Sequence, residues 1–182
     1  MTINGWSYDF PSLPQWNLRD EIPYVSDALY ENAQQDIAFL MYSIVEYRMG
    51  CYAGHLVVLR NKKKPEAFLQ VEKAAFSNSE VVFSMDGKLA FVKSAIWDGG
   101  WPVFVFDLST QRFACVKTTT NNISFTVKEI EQNDFALVAD AWQMQHDASG
   151  LLKKLHGTRI ETAALTWLPF SEMDAFVQNT LA

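Results

Sequence analysis

The sequence predicts a mainly β protein: an antiparallel meander of about three four-stranded, blade-like units with a short C-terminal helix. Three observations support this fold class. Apolar and polar residues alternate with a period of two along the middle of the chain, as in strands with one buried face. Turn dipeptides such as Asp86-Gly87 separate these runs. Similar runs recur about every 48 residues, the spacing expected of propeller blades or related meanders.

Nine runs are predicted to be strands because they are rich in β-branched and aromatic residues. They are Ile37–Ser43, His55–Asn61, Glu66–Glu72, Val81–Ser84, Leu89–Ala95, Val103–Ser109, Arg112–Thr118, Ile123–Val127 and Phe135–Ala141. A shorter run at Ala28–Glu31 precedes the first unit, although residues 26–34 also fit a helix. Weaker matches at Leu151–Leu155 and Thr162–Trp167 are expected to complete the third unit.

The central unit carries the most distinctive pattern. It reads Phe83-Ser84-Met85-Asp86-Gly87-Lys88-Leu89-Ala90-Phe91, followed by the aromatic run Val103–Leu108. Over residues 81–118 it resembles the repeat of TolB-like (PD40) β-propellers. It has Met85 where that family has proline, and one residue fewer before Leu-Ala-Phe. The resemblance implies a blade-like meander and carries no activity with it.

Three blades are too few to close a propeller, which typically has about four to eight. The sequence therefore predicts an open propeller-like or sandwich-like stack within one domain spanning residues 1–182. Its exposed sheet edges need covering. Residues 1–25 form a predicted extended aromatic segment, whose Trp6, Phe10, Leu13 and Trp16 would lie across a sheet. The signature Ser171-Glu172-Met173-Asp174 predicts a C-terminal helix over residues 171–182.

Composition narrows the function classes. The chain has 182 residues, 21 acidic and 15 basic, and a net charge of −6, which argues against nucleic acid. The first residues lack the basic and apolar regions of a signal peptide. No stretch reaches the roughly 20 apolar residues of a membrane span. We therefore expect no membrane association, a cytoplasmic location, and reduced thiols at Cys51 and Cys115.

Signatures of catalysis are weak, so no catalytic residue, metal or cofactor is assigned. Cys51 and His55 could form a nucleophile–base pair, but a packed thiol is the commoner outcome at a strand entrance. The histidines lack a zinc-site spacing, and the glycines form no phosphate-binding motif. Lys62-Lys63-Lys64 could contact an anion, although a lysine-rich turn is more often a solvated hairpin tip.

Three loops between the second and third strands of the units share one predicted rim. Aromatic and acidic side chains are concentrated there, a mixture typical of recognition surfaces. The candidate binding residues are Glu46, Tyr47, Tyr52, Trp97, Asp98, Trp101, Trp142, His146 and Asp147. Trp97 and Trp101 could instead pack across the Asp98-Gly99-Gly100 turn.

Two functions compete for this rim. The first is a non-catalytic protein-binding module, for instance an acidic inhibitor or immunity-type protein for a basic partner. The alternative is a small-molecule or carbohydrate site, glycosidase-like if Asp98, Asp140 and Asp147 converge. A homodimer, formed through an open edge or the N-terminal aromatics, is a third alternative that the sequence leaves open.

Overall fold

The computed structural model describes residues 2–8, 25–46, 51–74, 80–93, 102–116, 125–131, 134–139 and 158–181. Its elements are antiparallel strands and one short α-helix, which confirms the predicted fold class. The chain divides into two compact units, residues 1–77 with 171–182, and residues 78–170. No helix in the described parts of the chain is both long and apolar enough to cross a membrane.

The first unit contains a four-stranded antiparallel meander with strand order β3-β4-β5-β6. Its strands are β3 (Val25–Asn32), β4 (Ile37–Glu46), β5 (Cys51–Arg60) and β6 (Glu66–Ala74). A separate hairpin of β1 (Thr2–Ile3) and β2 (Trp6–Ser7) precedes them. Residues 25–32 therefore form a strand, and the alternative helix at residues 26–34 is wrong.

The N-terminal hairpin covers one face of this meander. Trp6 is only 2% exposed, and its ring packs into a cluster of residues from β4 and β5. The cluster comprises Ala38, Leu40, Val57 and Leu59, with the partly buried Tyr8 and Leu29 beside it. The expectation that Trp6 lies across a sheet face is thus confirmed. Phe10, Leu13 and Trp16 lie outside the described residues.

The C-terminal helix belongs to the same unit. It is α1 (Met173–Leu181), preceded by a 3-10 turn at Phe170–Glu172. The predicted helix over residues 171–182 is therefore confirmed, with its α-helical part beginning two residues later. Met173 and Val177, four residues apart and thus on one helical face, are both buried. The helix lies against β6.

The second unit contains a five-stranded antiparallel sheet with strand order β14-β10-β9-β8-β7. The four strands that come first along the chain form another meander. They are β7 (Glu80–Phe83), β8 (Leu89–Lys93), β9 (Val103–Asp107) and β10 (Arg112–Val116). The two meanders thus have the same number and order of strands, as the repeat predicts.

A smaller antiparallel sheet completes the second unit. Its strands are β11 (Phe125–Glu131), β12 (Asp134–Ala139) and β13 (Thr158–Ile160). The described residues thus give this third sheet three strands, where four were expected. The weak strand prediction at Leu151–Leu155 lies outside the described residues.

The predicted strand at Thr162–Trp167 is wrong. A 3-10 turn occupies Thr162–Ala164, and the indole nitrogen of Trp167 donates to the carbonyl of Thr162 at 3.2 Å. This bond folds the segment back on itself, which an extended strand would not allow. Leu165 and Trp167 instead pack against the core of the five-stranded sheet. The next residues form β14 (Leu168–Pro169). This strand pairs with β10 and is the fifth strand of the five-stranded sheet.

Candidate functional site

By sequence position, the nine predicted binding residues lie between or beside equivalent strands of the three sheets. Each lies in, or at the end of, the connection between a second and a third strand. These connections are residues 47–50 between β4 and β5, residues 94–102 between β8 and β9, and residues 140–157 between β12 and β13. Because antiparallel strands alternate in direction, such connections all leave the same end of their own sheets. We call this the long-connection end.

Two of the nine residues lie in described strands. Glu46 is the last residue of β4 and faces Cys51, while Val45 faces Tyr52. Glu46 and Tyr52 therefore occupy neighbouring rungs at the end of the β4–β5 ladder. The other seven lie outside the described residues: Tyr47, Trp97, Asp98, Trp101, Trp142, His146 and Asp147.

The opposite end of the first meander is closed by short turns that bond to one another. Asp36 has a left-handed backbone, with φ of 52°. Its carbonyl accepts from the amide of Asn61 at 3.0 Å, and its Oδ1 accepts from the amide of Lys62 at 2.9 Å. The β3–β4 and β5–β6 turns are thereby joined. We call this the tight-turn end.

Lys62 is also engaged at this end. Its Nζ donates to Oε1 of Glu31 at 2.8 Å, an ion pair in which both side chains are partly buried. The neighbouring Lys63 and Lys64 are exposed. One of the three lysines therefore serves the fold, and the solvated-turn interpretation fits the run better than an anion site does.

The second meander has an equivalent tight-turn end, centred on Ser84. Ser84 is buried; its hydroxyl donates to Oδ1 of Asp86 at 2.7 Å and accepts from the amide of Leu89 at 2.9 Å. The hydrogen bond from the Ser84 hydroxyl is the main reason that the pKa of Asp86 lies below its ordinary 3.8, and the hydrogen bond from the amide of Lys88 lowers it further. Gly87 completes this turn with φ of 69°, a conformation that glycine adopts without strain.

Asp107 organises the neighbouring β9–β10 turn in a similar way. Its Oδ1 accepts from the Ser109 hydroxyl at 2.6 Å and from the amides of Ser109 and Thr110 at 2.9 and 3.1 Å. Partial burial would raise the pKa of Asp107, but the hydrogen bonds from Ser109 and Thr110 outweigh it, so the pKa lies below its ordinary 3.8. The carboxylate is therefore a structural acceptor within its own turn.

The same backbone bond joins the two turns in each meander. In the second unit, the amide of Leu108 donates to the carbonyl of Lys88 at 2.9 Å. In the first unit, the amide of Asn61 donates to the carbonyl of Asp36 in the same way. In both cases the acceptor immediately precedes the second strand and the donor immediately follows the third. Because backbone and carboxylate groups at this end bond to each other, few remain for a ligand.

Central strands of both meanders are buried on both faces. In β4 the five residues from Ile37 to Met41 are all buried, and in β9 the four residues from Val103 to Phe106 are completely buried. Alternate residues of a strand point to opposite faces, so neither face of these central strands meets solvent there. Recognition of a large partner is thus left to the strand ends and the sheet edges.

Geometry argues against the nucleophile–base pair considered for Cys51 and His55. Both residues lie in β5, where four residues at about 3.3 Å each separate their α-carbons by roughly 13 Å. A nucleophile and its base need to be within about 3 Å of each other. His55 is buried within the strand, opposite Tyr42. Among the described residues, no group of three His, Cys, Asp or Glu side chains could hold a metal ion.

The N-terminal hairpin is a structural feature that the prediction of an extended segment over residues 1–25 did not include. Its turn is Asn4-Gly5, with φ of 50° and 85°, flanked by the pair Ile3 and Trp6. Positive φ at both central residues is the mark of a type I′ turn, for which Asn-Gly is the preferred dipeptide. The dipeptide was therefore a sufficient signal, obscured by the prolines that follow it in the chain.

Comparison of this chain with protein-family models, with curated proteins and with solved structures finds no match.

Proposed function

We propose that this chain is a non-catalytic protein-recognition module that binds a basic partner through connections at the long-connection ends of its sheets. The observation that carries the proposal is the contrast between the two ends of the meanders. At the tight-turn end, Ser84, Asp86 and Asp107 bond within their own turns, and Asp36 bonds to the neighbouring β5–β6 turn. At the other end, connections of four, nine and eighteen residues contain or adjoin, by sequence position, the aromatic and acidic residues predicted from the sequence.

Burial in the central strands supports the same assignment. Because residues 37–41 of β4 and residues 103–106 of β9 are apolar and buried on both faces, these parts of the sheets support the structure and offer no open binding face. Recognition residues are commonly placed on connections held by such a support. Within these connections, tryptophan and tyrosine supply large contact areas, and residues of these types dominate binding energy at protein interfaces.

The charge of the chain indicates the partner. A net charge of −6, with Glu46, Asp98 and Asp147 among the candidate residues, favours a partner with a basic surface. Complementary charge mainly raises the association rate and gives it a dependence on salt. One concrete form of such a module is an acidic inhibitor that occupies the site of a basic enzyme, as immunity proteins do. The proposal includes the cytoplasmic location predicted from the sequence.

The test is affinity capture from native lysate with the immobilised chain, at about 10 mM and about 1 M salt, where screening lengths are roughly 30 and 3 Å. We expect a basic protein that is retained at low salt and released at high salt. Recovery of no protein at low salt would overturn the proposal. So would a tryptophan fluorescence response to members of a glycan panel, which would favour the carbohydrate alternative.

Matched variants then locate the site. If Trp97 or Trp101 is an anchor, its replacement by alanine should weaken binding of the captured partner by about 30-fold, the usual effect of losing a residue that dominates an interface. Asp98→Asn should slow association and reduce its salt dependence. Thr110→Ala, at the tight-turn end, is the control. Equal binding by all four variants would place the site elsewhere.

A further inference from the structure

The turn of the N-terminal hairpin requires glycine at its second central position. Gly5 has φ of 85°, a conformation that residues with a side chain rarely adopt. A Cβ placed on Gly5 would also lie 3.1 Å from Cε of Lys62, closer than the roughly 3.5–4.0 Å that carbon atoms prefer. The Lys62 amino group is paired with Glu31 at 2.8 Å, which fixes the far end of that side chain. Backbone and neighbour therefore both select glycine here.

The residue before this glycine is an asparagine. Asn4 has φ of 50°, and asparagine tolerates this left-handed region better than most residues do. Both turn residues are exposed to solvent. Asn4 is also the one asparagine of the sequence that glycine follows. The fold thus keeps an Asn-Gly dipeptide in contact with water.

An asparagine followed by glycine can react with its own backbone. The nitrogen of the glycine attacks Cγ of the asparagine side chain and forms a C–N bond. The bond from Cγ to the side-chain nitrogen breaks, and ammonia leaves with the proton of the attacking nitrogen. The product is a five-membered succinimide ring, and the attack is favoured because both groups belong to one chain. Glycine assists because no Cβ obstructs its nitrogen and its backbone is the least restricted.

Water then opens the ring at one of two bonds. Cleavage between the nitrogen and Cγ restores the ordinary backbone and leaves an aspartate. Cleavage of the original peptide bond leaves an isoaspartate, whose main chain passes through Cβ and is longer by one carbon. Overall, water is consumed and ammonia is released. Both products carry an added carboxylate, which is ionised at neutral pH.

A second exposed asparagine provides an internal comparison. Asn61 has φ of 61°, close to that of Asn4, and is likewise exposed. The residue that follows it is Lys62, which has a side chain and whose amide donates to Oδ1 of Asp36 at 2.9 Å. The nitrogen that would attack Asn61 is therefore already bonded. The hydrogen bond of a four-residue turn joins its first and last residues, so the hairpin turn does not use the Gly5 amide for its own closure.

We propose that Asn4 is a site of spontaneous modification, where water converts the asparagine through a succinimide to aspartate and isoaspartate, and that the isoaspartyl form no longer closes the hairpin. The paired residues Ile3 and Trp6 face each other across the turn. A two-residue type I′ turn sets that register, and one additional backbone carbon between residues 4 and 5 disrupts it. The Trp6 ring, which is 2% exposed, then shifts in its cluster beside Leu40 and Val57.

The first test ages the full native chain in mildly alkaline buffer and follows its mass. We expect the gain that corresponds to exchange of NH2 for OH, and fragmentation of proteolytic peptides should locate it at Asn4. Conversion at Asn4 should be at least about tenfold faster than at Asn61, a difference of about 1.36 kcal/mol in activation free energy. Electron-transfer fragmentation should identify isoaspartate among the products. Equal rates at the two asparagines, or no isoaspartate at Asn4, would overturn the proposal.

The second test examines the hairpin after conversion. The aged isoaspartyl chain should lose the nuclear Overhauser contacts between Ile3 and Trp6, and the methyl signals of Leu40 and Val57 should shift. Asn4→Asp supplies the aspartate product alone and should keep those contacts, which separates the added charge from the altered backbone. An isoaspartyl chain with native contacts would contradict the predicted opening of the hairpin.

A matched variant removes the reaction and keeps the turn. Asn4→Gly should retain the Ile3–Trp6 contacts, because Gly-Gly also suits a type I′ turn. Without the side-chain amide it cannot form the ring, so residues 1–8 should gain no mass on ageing. The same mass gain in this segment of Asn4→Gly would place the modification at another residue. None of these outcomes depends on the long-connection end, so the proposal can fail or hold independently of partner binding.

Discussion

At the scale of single residues, two serines make similar bonds in different surroundings. Ser84 and Ser109 each donate a hydroxyl hydrogen to an aspartate two positions away. Ser84 is buried and also accepts from the amide of Leu89, whereas Ser109 is exposed. Replacing each serine by alanine therefore compares how much a buried hydrogen bond and an exposed one contribute to the free energy of unfolding.

We predict that Ser84→Ala lowers the free energy of unfolding by about 1–3 kcal/mol, because it leaves the buried Leu89 amide without this acceptor. Ser109→Ala is the matched control and should cost less than about 1 kcal/mol, since water can replace its bond. Urea unfolding monitored by circular dichroism measures both. Equal losses in the two variants would contradict the proposed role of Ser84 in closing the turn.

Asp107 gives a prediction about pH. Its pKa lies below 3.8 in the folded chain, so folding favours the ionised carboxylate, and the group stabilises the fold at pH values above its unfolded pKa. That contribution is lost as the pH falls through the folded pKa, below the ordinary value. Because much of the Asp107 carboxylate meets solvent, we expect its ionisation to change the free energy of unfolding only modestly.

The measurement is the unfolding free energy of the native chain and of Asp107→Asn between pH 6 and pH 2, two values chosen to bracket about 3.8, the ordinary pKa of an aspartate. Asparagine retains an oxygen acceptor but cannot ionise there. The native chain should lose more stability than the variant as the pH falls below about 4. Parallel curves for the two proteins would show that the Asp107 charge does not contribute.

At the scale of elements, the last strand of the second unit is held mostly by side chains. β14 pairs with β10 at only two positions. It is flanked by a bond from Arg112 Nη2 to the Trp167 carbonyl at 2.9 Å and by the buried Phe170. The Phe170 ring stands edge-on to Phe106 with centroids 5.8 Å apart, and its amide donates to the Gln111 carbonyl.

We predict that Phe170→Ala destabilises the chain by about 3–5 kcal/mol, the usual result of emptying a buried phenylalanine site. Amide exchange should rise first at Phe170, whose amide bonds to Gln111. The exposed Met85→Ala should change stability by less than about 0.5 kcal/mol. A loss below about 1 kcal/mol for Phe170→Ala would mean that the ring does not hold the strand.

Strand positions were predictable where the local pattern and the fold agree. The runs at residues 37–43, 89–95, 103–109 and 112–118 coincide with β4, β8, β9 and β10 to within a few residues, because alternation and turn dipeptides mark them locally. Thr162–Trp167 has a comparable composition but forms a turn, since the Trp167 indole bonds to Thr162. That side-chain bond to a carbonyl five residues earlier has no counterpart in the alternation pattern.

At the scale of the whole molecule, the sequence predicted the repeated meander and the connections that carry the candidate residues. It predicted neither the pairing of β14 with β10 nor the hydrogen bonds of Asp36, because both depend on residues far apart in the chain. Glu46 and Tyr52 are placed at the predicted end of their sheet. The grouping of all nine candidate residues into one rim, and the propeller resemblance of residues 81–118, stay predictions.

Burial of β9 on both faces has a consequence for how the chain is made. Its buried residues, Val103-Phe104-Val105-Phe106, are an uncharged run of high β propensity, a composition typical of segments that stack into cross-β aggregates when exposed. During synthesis this run stays unprotected until β8 and β10 pair with it. We expect Asp107, immediately after the run, to act as a gatekeeper whose charge discourages stacking between chains. On this expectation, the carboxylate that organises a turn in the folded protein also protects the newly made chain from its neighbours.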